Sequence, residues 1–323
     1  MKADVHSHFY TPDYVETVRR FDPEKASQAG GLDLPLWISA EERIAQMDRF
    51  GVDVEILSLS APNVYFDDGA LSDELAHLTN DFLGRLCREH PTRFVGMASL
   101  PMGNVDHAIA ELHRAVEQLG LCGVVLGTHI NSQRPDSPLF EPLLAEIERM
   151  GQPIFIHPMP PEDAADLDQY KLSGMLGMPF ETTTCVTRMI LAGVFDRHPK
   201  LKLILSHLGG TLPFLFNRLD VTFKGFKECR RNASRLPSEY LKDFYYETAL
   251  SYARSTLVYA ADVVGVERLM FGTDYPFSGA LVGRTAAAIE ALELPSGLRD
   301  RIFAGNAASL FRLGFQSPVP EHE

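Results

Sequence analysis

PIFIHP (residues 153–158), TTTCVTRMILAGVF (182–195) and LKLILSHLGG (201–210) follow one another in this chain. The first and third are short apolar runs of strand length, and the second is longer, with its apolar residues at helical spacing. Strand, helix and strand in that order make a βα repeat. Both strand runs end in a histidine, His157 in the first and His207 in the second.

The same alternation extends outward to both ends. Strands are predicted at residues 2–6, 54–59, 94–100, 123–126, 153–157, 202–206, 244–247 and 268–272. Helical patterns occupy residues 39–50, which open on a Ser39-x-x-Glu42 capping box, and residues 71–89, 105–119, 139–150, 182–195, 212–226, 253–264 and 285–292. Two short helices follow at 298–303 and 307–313. Eight strands, each followed by a helix, in 323 residues predict an α/β fold of the closed (β/α)8 TIM-barrel type. An open dinucleotide-binding sheet would carry a Gly-rich turn after its first strand, and none is present. Two inserts rich in Pro, Gly and aromatics, residues 9–38 and 158–181, follow strands one and five and read as lids or pocket walls at the catalytic end. Residues 1–315 are expected to form a single catalytic domain, and 316–323 (QSPVPEHE) a disordered tail.

Composition narrows the partners. Thirty Lys and Arg against 43 Asp and Glu give a net charge of −13, which disfavours nucleic acid in the absence of a basic patch. A small-molecule partner is expected instead. Cys87, Cys122, Cys185 and Cys229 form no CxxC pair, so neither a zinc knuckle nor a disulfide framework is encoded. No signal-peptide stretch and no membrane-spanning apolar run is seen, and a cytoplasmic, unanchored protein is expected.

The histidines cluster by position in the fold. His6 and His8 end strand one, His157 ends strand five, His207 ends strand six, and Asp274 follows strand eight in MFGTDYP. Residues two apart on a strand share a face, so His6 and His8 can both point into the barrel mouth. Imidazoles and a carboxylate converging there suit one first-row divalent metal such as zinc, with a position left for water or substrate. A lone strand-end histidine is ordinarily a hydrogen-bonded rim residue; five such groups at one end are not. His77, His90, His107, His113, His198 and His322 fall on helices, their ends or the tail and receive no role, whereas His129, in GTHIN after strand four, is assigned to the pocket lining.

The ordered set HSHF (6–9), GTHIN (127–131), IFIHP (154–158), GMPFETT (177–183), HPKLKLILSHLGGTLPF (198–214) and FGTDYPF (271–277) resembles the amidohydrolase superfamily. Within it, the resemblance is to the decarboxylase branch typified by aminocarboxymuconate-semialdehyde decarboxylase. It implies that His6, His8, His157 and Asp274 bind the metal, usually zinc, with manganese used by related hydroxybenzoate decarboxylases. It places His207 just outside that shell as general acid/base, with Asp274 part of the catalytic group. Arg218 matches a family arginine that reaches into the neighbouring subunit's site and clamps a substrate carboxylate, which implies a homodimer. Phe9 and Phe277 would be apolar pocket walls. No bridging lysine appears on strand four, so one metal and no organic cofactor are expected.

The segment after strand one lacks the branch's second carboxylate-binding arginine. Arg19 and Arg20 read as parts of a short exposed helix, and Tyr10, Leu32, Leu34, Leu36 and Trp37 suggest a less charged, aromatic carboxylate as substrate. The resemblance makes non-oxidative decarboxylation the expected reaction. The alternative is a metal-dependent hydrolase of a lactone, amide or related carbonyl compound, and a metal-binding barrel without catalysis is the third reading.

Overall fold

The computed structural model describes residues 1–28, 39–167 and 169–313. Eight parallel strands run in chain order: β1 (Ala3–Phe9), β2 (Val54–Leu59), β3 (Phe94–Gly96), β4 (Val124–Gly127), β5 (Pro153–His157), β6 (Lys202–Leu205), β7 (Tyr245–Glu247) and β8 (Leu269–Met270). β1 to β3 form one ladder and β4 to β8 another. The Ala98–Val124 bridge joins them on one side. On the other, Val5 N–H donates to Phe271 O at 3.0 Å and His8 N–H to Tyr275 O at 2.8 Å, which closes the barrel. The predicted fold is thus the observed one, with β3 and β8 shorter than expected because single bridges and loop hydrogen bonds replace continuous ladder there.

Strand alternation separates two cores. Val5, Ile56, Val125, Phe155, Ile204 and Met270 fill the barrel, and Ala307, Leu310 and Phe311 of the helix Asn306–Phe311 pack with them near the strand starts. Ile154, Ile156, Leu203 and Leu205 face the helices instead. On β5 this alternation continues Phe155 into an inward His157.

β1 behaves differently. Continued from Ala3 and Val5, strict alternation would send His6 and His8 outward. A register shift between Asp4 and Ser7 inserts the extra residue of a bulge, so that His6 and His8 turn into the barrel and Ser7 and Phe9 turn out towards the helices.

The insert after β1 contains the helices Pro12–Phe21, capped by Thr11, and Pro23–Gln28. It is tied to the loop after β2: Tyr14 Oη donates to Asn63 O at 2.5 Å, and Tyr10 Oη donates to Ala61 O. Leu32, Leu34, Leu36, Trp37 and the tail 316–323 lie outside the described residues. Among the described residues no helix is long and apolar enough to cross a membrane. The four cysteines are unpaired.

Candidate metal centre

At the C-terminal mouth of the barrel, ligand atoms of His6, His8, His157 and Asp274 all lie within 4.8 Å of one another. His6 Nε2 is 2.8 Å from His8 Nε2, and each is 3.3 Å from Asp274 Oδ1. The His157 ring stands 4.7 Å from that of His8 and 5.3 Å from that of His6. Nitrogens bound to one ion at about 2.1 Å lie roughly 3.0–3.4 Å apart, so this spacing is that of a shared coordination sphere.

The outer nitrogens identify which lone pairs are free. His6 Nδ1 meets Glu247 Oε1 at 2.8 Å, and His8 Nδ1 meets Ser58 O at 3.1 Å. A proton on each Nδ1 satisfies those acceptors and leaves both Nε2 lone pairs facing one another, an arrangement that needs a proton or a cation between them. The electrostatics agree. Burial opposes charge on His6, but the Glu247 and Asp274 carboxylates outweigh it and push its pKa up to about 10. Burial holds His157 well below the ordinary histidine range, assisted by neighbouring His8 and His6. Burial also opposes charge on Asp274, yet His6 keeps this carboxyl well below the usual range. The pocket therefore calls for positive charge at its centre, and its donors fit a divalent ion.

His207 sits beside this set, its ring 5.0 Å from that of His6. Its Nδ1 is buried with no hydrogen-bond partner. The backbone that presents it is left-handed over four residues, with φ of +51° at His207, +54° at Leu208, +74° at Gly209 and +64° at Gly210. Gly210 is required, since a Cβ there would overlap Pro179 O. Asp274 is also left-handed, at φ +60°, and strain of this kind gathers at functional sites.

Glu247, at the end of β7, escapes sequence reading. Besides His6 it accepts the backbone N–H of His207, and its other oxygen accepts that of Ala249 at 2.6 Å. A Cβ on Gly272 would overlap its carboxylate. A single strand-end glutamate carries no motif; the signal available was its position at the mouth, the same one that selects His157. Behind β1, the buried Asp4 accepts from His6 N–H at 3.1 Å and Thr273 N–H at 3.0 Å. Burial, with Glu55 adding, raises its pKa to about 8.

The remaining site candidates separate. Phe277 is partly exposed with its ring 5.7 Å from that of His8, at the mouth. Phe9 is fully buried and stacks on Phe82 at 5.5 Å, so the bulge that turns the histidines inward turns this ring into the helix layer instead of the pocket. His129 Nε2 donates to Pro160 O at 3.0 Å and ties the loop after β4 to the segment after β5. Arg218 is exposed on the helix Leu212–Gly225. Arg19 and Arg20 are exposed on the helix Pro12–Phe21.

A parallel (β/α)8 barrel with three imidazoles and a carboxylate at its C-terminal mouth defines a metal-dependent barrel protein. The family model described as Amidohydrolase matches residues 3–313, and the chain belongs to that family. It is 32% identical over 287 residues to 2-amino-3-carboxymuconate-6-semialdehyde decarboxylase of Dictyostelium discoideum, covering 87% of this chain and 79% of the relative. The crystal structure of 5-carboxyvanillate decarboxylase from Sphingomonas paucimobilis superposes with a TM-score of 0.87 at 30% identity, over 97% of this chain and 99% of that one. A dihydroxybenzoic acid decarboxylase from Polaromonas, solved with bound manganese and the inhibitor 2-nitroresorcinol, superposes with a TM-score of 0.86 at 29% identity over 97% of each chain.

Proposed function

We propose that the chain is a metal-dependent, non-oxidative decarboxylase, a carbon–carbon lyase acting on an aromatic or unsaturated carboxylic acid. The carrying observation is the pair of opposed Nε2 atoms of His6 and His8, 2.8 Å apart and both 3.3 Å from Asp274, with the unpartnered Nδ1 of His207 beside them. The decarboxylase relatives support the reaction, and the whole unit 1–315 serves as one catalytic domain.

A divalent cation held by His6, His8, His157 and Asp274 would polarise an oxygen of the bound acid and stabilise negative charge there. Zinc is the proposed ion because three imidazole nitrogens and one carboxylate oxygen form a nitrogen-rich set; manganese is the alternative. Glu247 fixes the His6 ring and the His207 backbone. His207 delivers a proton to the carbon that bears the carboxylate. The electron pair of the C–CO2 bond then returns to the unsaturated system as CO2 leaves, and His207 recovers its proton from water. Phe277 forms an apolar wall, His129 holds the pocket rim, and the inserts after β1 and β5 act as lids. Because residues 21–39 in the insert after β1 carry no arginine, a monoanionic aromatic acid is the preferred substrate.

Arg218 clamps that carboxylate from a second copy of the chain. Support comes from its helix, where Phe214 and Val221, 76% and 72% exposed, share a face with it at i−4 and i+3. An apolar face of this kind is what an interface covers. The unpaired thiols fit a reducing, cytoplasmic setting.

The test is CO2 release from a panel of hydroxybenzoates and muconate-type acids by protein loaded with zinc or manganese. Release is expected to stop on chelation and to be absent in His157→Ala. No release from any acid, with turnover of lactones or amides, would transfer the site to the hydrolase reading.

A further inference from the structure

We propose that Arg43, on the helix Ala40–Phe50 outside the barrel, is a positioning residue that holds the β1 bulge and so keeps the metal-binding side chains aligned; this rests on the metal site proposed above. The Arg43 side chain is 5% exposed. Its Nε donates to Glu55 Oε2 at 2.7 Å and its Nη2 to Ser7 Oγ at 2.5 Å, and its Cζ lies over the Tyr275 ring, 4.4 Å from the centroid.

Two of those partners, Ser7 and Tyr275, adjoin the site, and Glu55 pairs with Asp4 on β1 just before the bulge. Ser7 separates His6 from His8 on β1, Tyr275 follows Asp274, and Ser7 and Tyr275 pair across the seam that closes the barrel. Much of the layer between strands and helices is apolar, as at Ile154, Ile156, Leu203 and Leu205. A charge there is costly to bury and is retained where its geometry is used. The bulge gives the reason. It is what turns His6 and His8 inward, and it leaves Ser7 pointing out at the helix, where only a long donor can reach it. A guanidinium can donate from Nε to Glu55 and from Nη2 to Ser7 at once while its Cζ lies over the Tyr275 ring, which the single nitrogen of an ammonium cannot reproduce. One side chain thereby fixes the segment carrying two candidate ligands against the segment carrying a third, and such sites tolerate errors of only about 0.5 Å.

The test compares wild type with Arg43→Lys, Ser7→Ala and the charge-neutral double variant Arg43→Met with Glu55→Gln. Metal affinity is measured by chelator competition, ligand geometry by the visible absorption of the cobalt-substituted protein, and folding by thermal unfolding. All three variants are expected to bind metal about tenfold or more weakly and to shift the cobalt bands, with kcat reduced and KM within about twofold. Should the double variant fail to fold, Ser7→Ala, which removes a single hydroxyl, carries the comparison. Folded variants with unchanged affinity and an unchanged cobalt spectrum would overturn the proposal and leave Arg43 a buried ion pair only. A wild-type protein that binds no metal would overturn the site itself.

Discussion

Glu247 Oε1 lies 2.8 Å from His6 Nδ1 and also accepts the backbone N–H of His207. One carboxylate at the end of β7 therefore sets the ring of a candidate ligand and the placement of the candidate acid/base. Carboxylates that hold ligating histidines are worth about 10- to 100-fold in metal affinity. Glu247→Gln is expected to lose affinity in that range, measured by chelator competition. Gly272→Ala, which pushes a methyl into the same carboxylate, should weaken binding in the same direction without touching any ligand.

His207→Asn should lower kcat by about 10²- to 10⁴-fold while metal content, measured by elemental analysis, stays at the wild-type level. Metal loss in that variant would make His207 a ligand.

Asp4 gives the fold a pH dependence. Its carboxyl ionises near 3.9 in the unfolded chain and only near pH 8 in the fold, where burial and Glu55 keep it neutral. Between about pH 4 and 8 the folded state holds the extra proton, so this group's contribution to stability is full below pH 4 and is lost as pH rises through 8. Asp4→Asn should therefore gain thermal stability relative to wild type from pH 5 to 8, with the difference levelling off above about pH 8. Scans in chelator keep metal release out of the comparison.

Arg218→Ala should raise KM for the acid by about tenfold or more, since hydrogen bonds to charged groups contribute about 1.5–3 kcal/mol, with metal content unchanged. Sedimentation of wild type is expected to give a dimer. A monomer with full activity would remove Arg218 from the site.

Much of this was legible in the chain. Runs such as PIFIH and LKLIL announce strands because they are apolar, of strand rather than helix length and set between longer helical patterns, and the strand-end positions of His157 and His207 follow directly. What alternation could not supply was the bulge between Asp4 and Ser7, a single inserted residue with no residue-type signature, which decides that His6 and His8 face inward and Phe9 does not. Glu247 and Arg43 were hidden for a related reason. Each is an ordinary charged residue in its own element, and its role arises from partners far away in sequence, at His6 and His207 for one and at Ser7 and Tyr275 for the other.

The most direct measurement is product mass analysis after turnover of a hydroxybenzoate by metal-loaded protein in doubly labelled water, carrying deuterium and oxygen-18. Decarboxylation at the His6, His8, His157 and Asp274 site predicts release of CO2 and one deuterium at the vacated carbon. A product that keeps its carboxylate, or one from a lactone or amide that gains labelled oxygen, would contradict it.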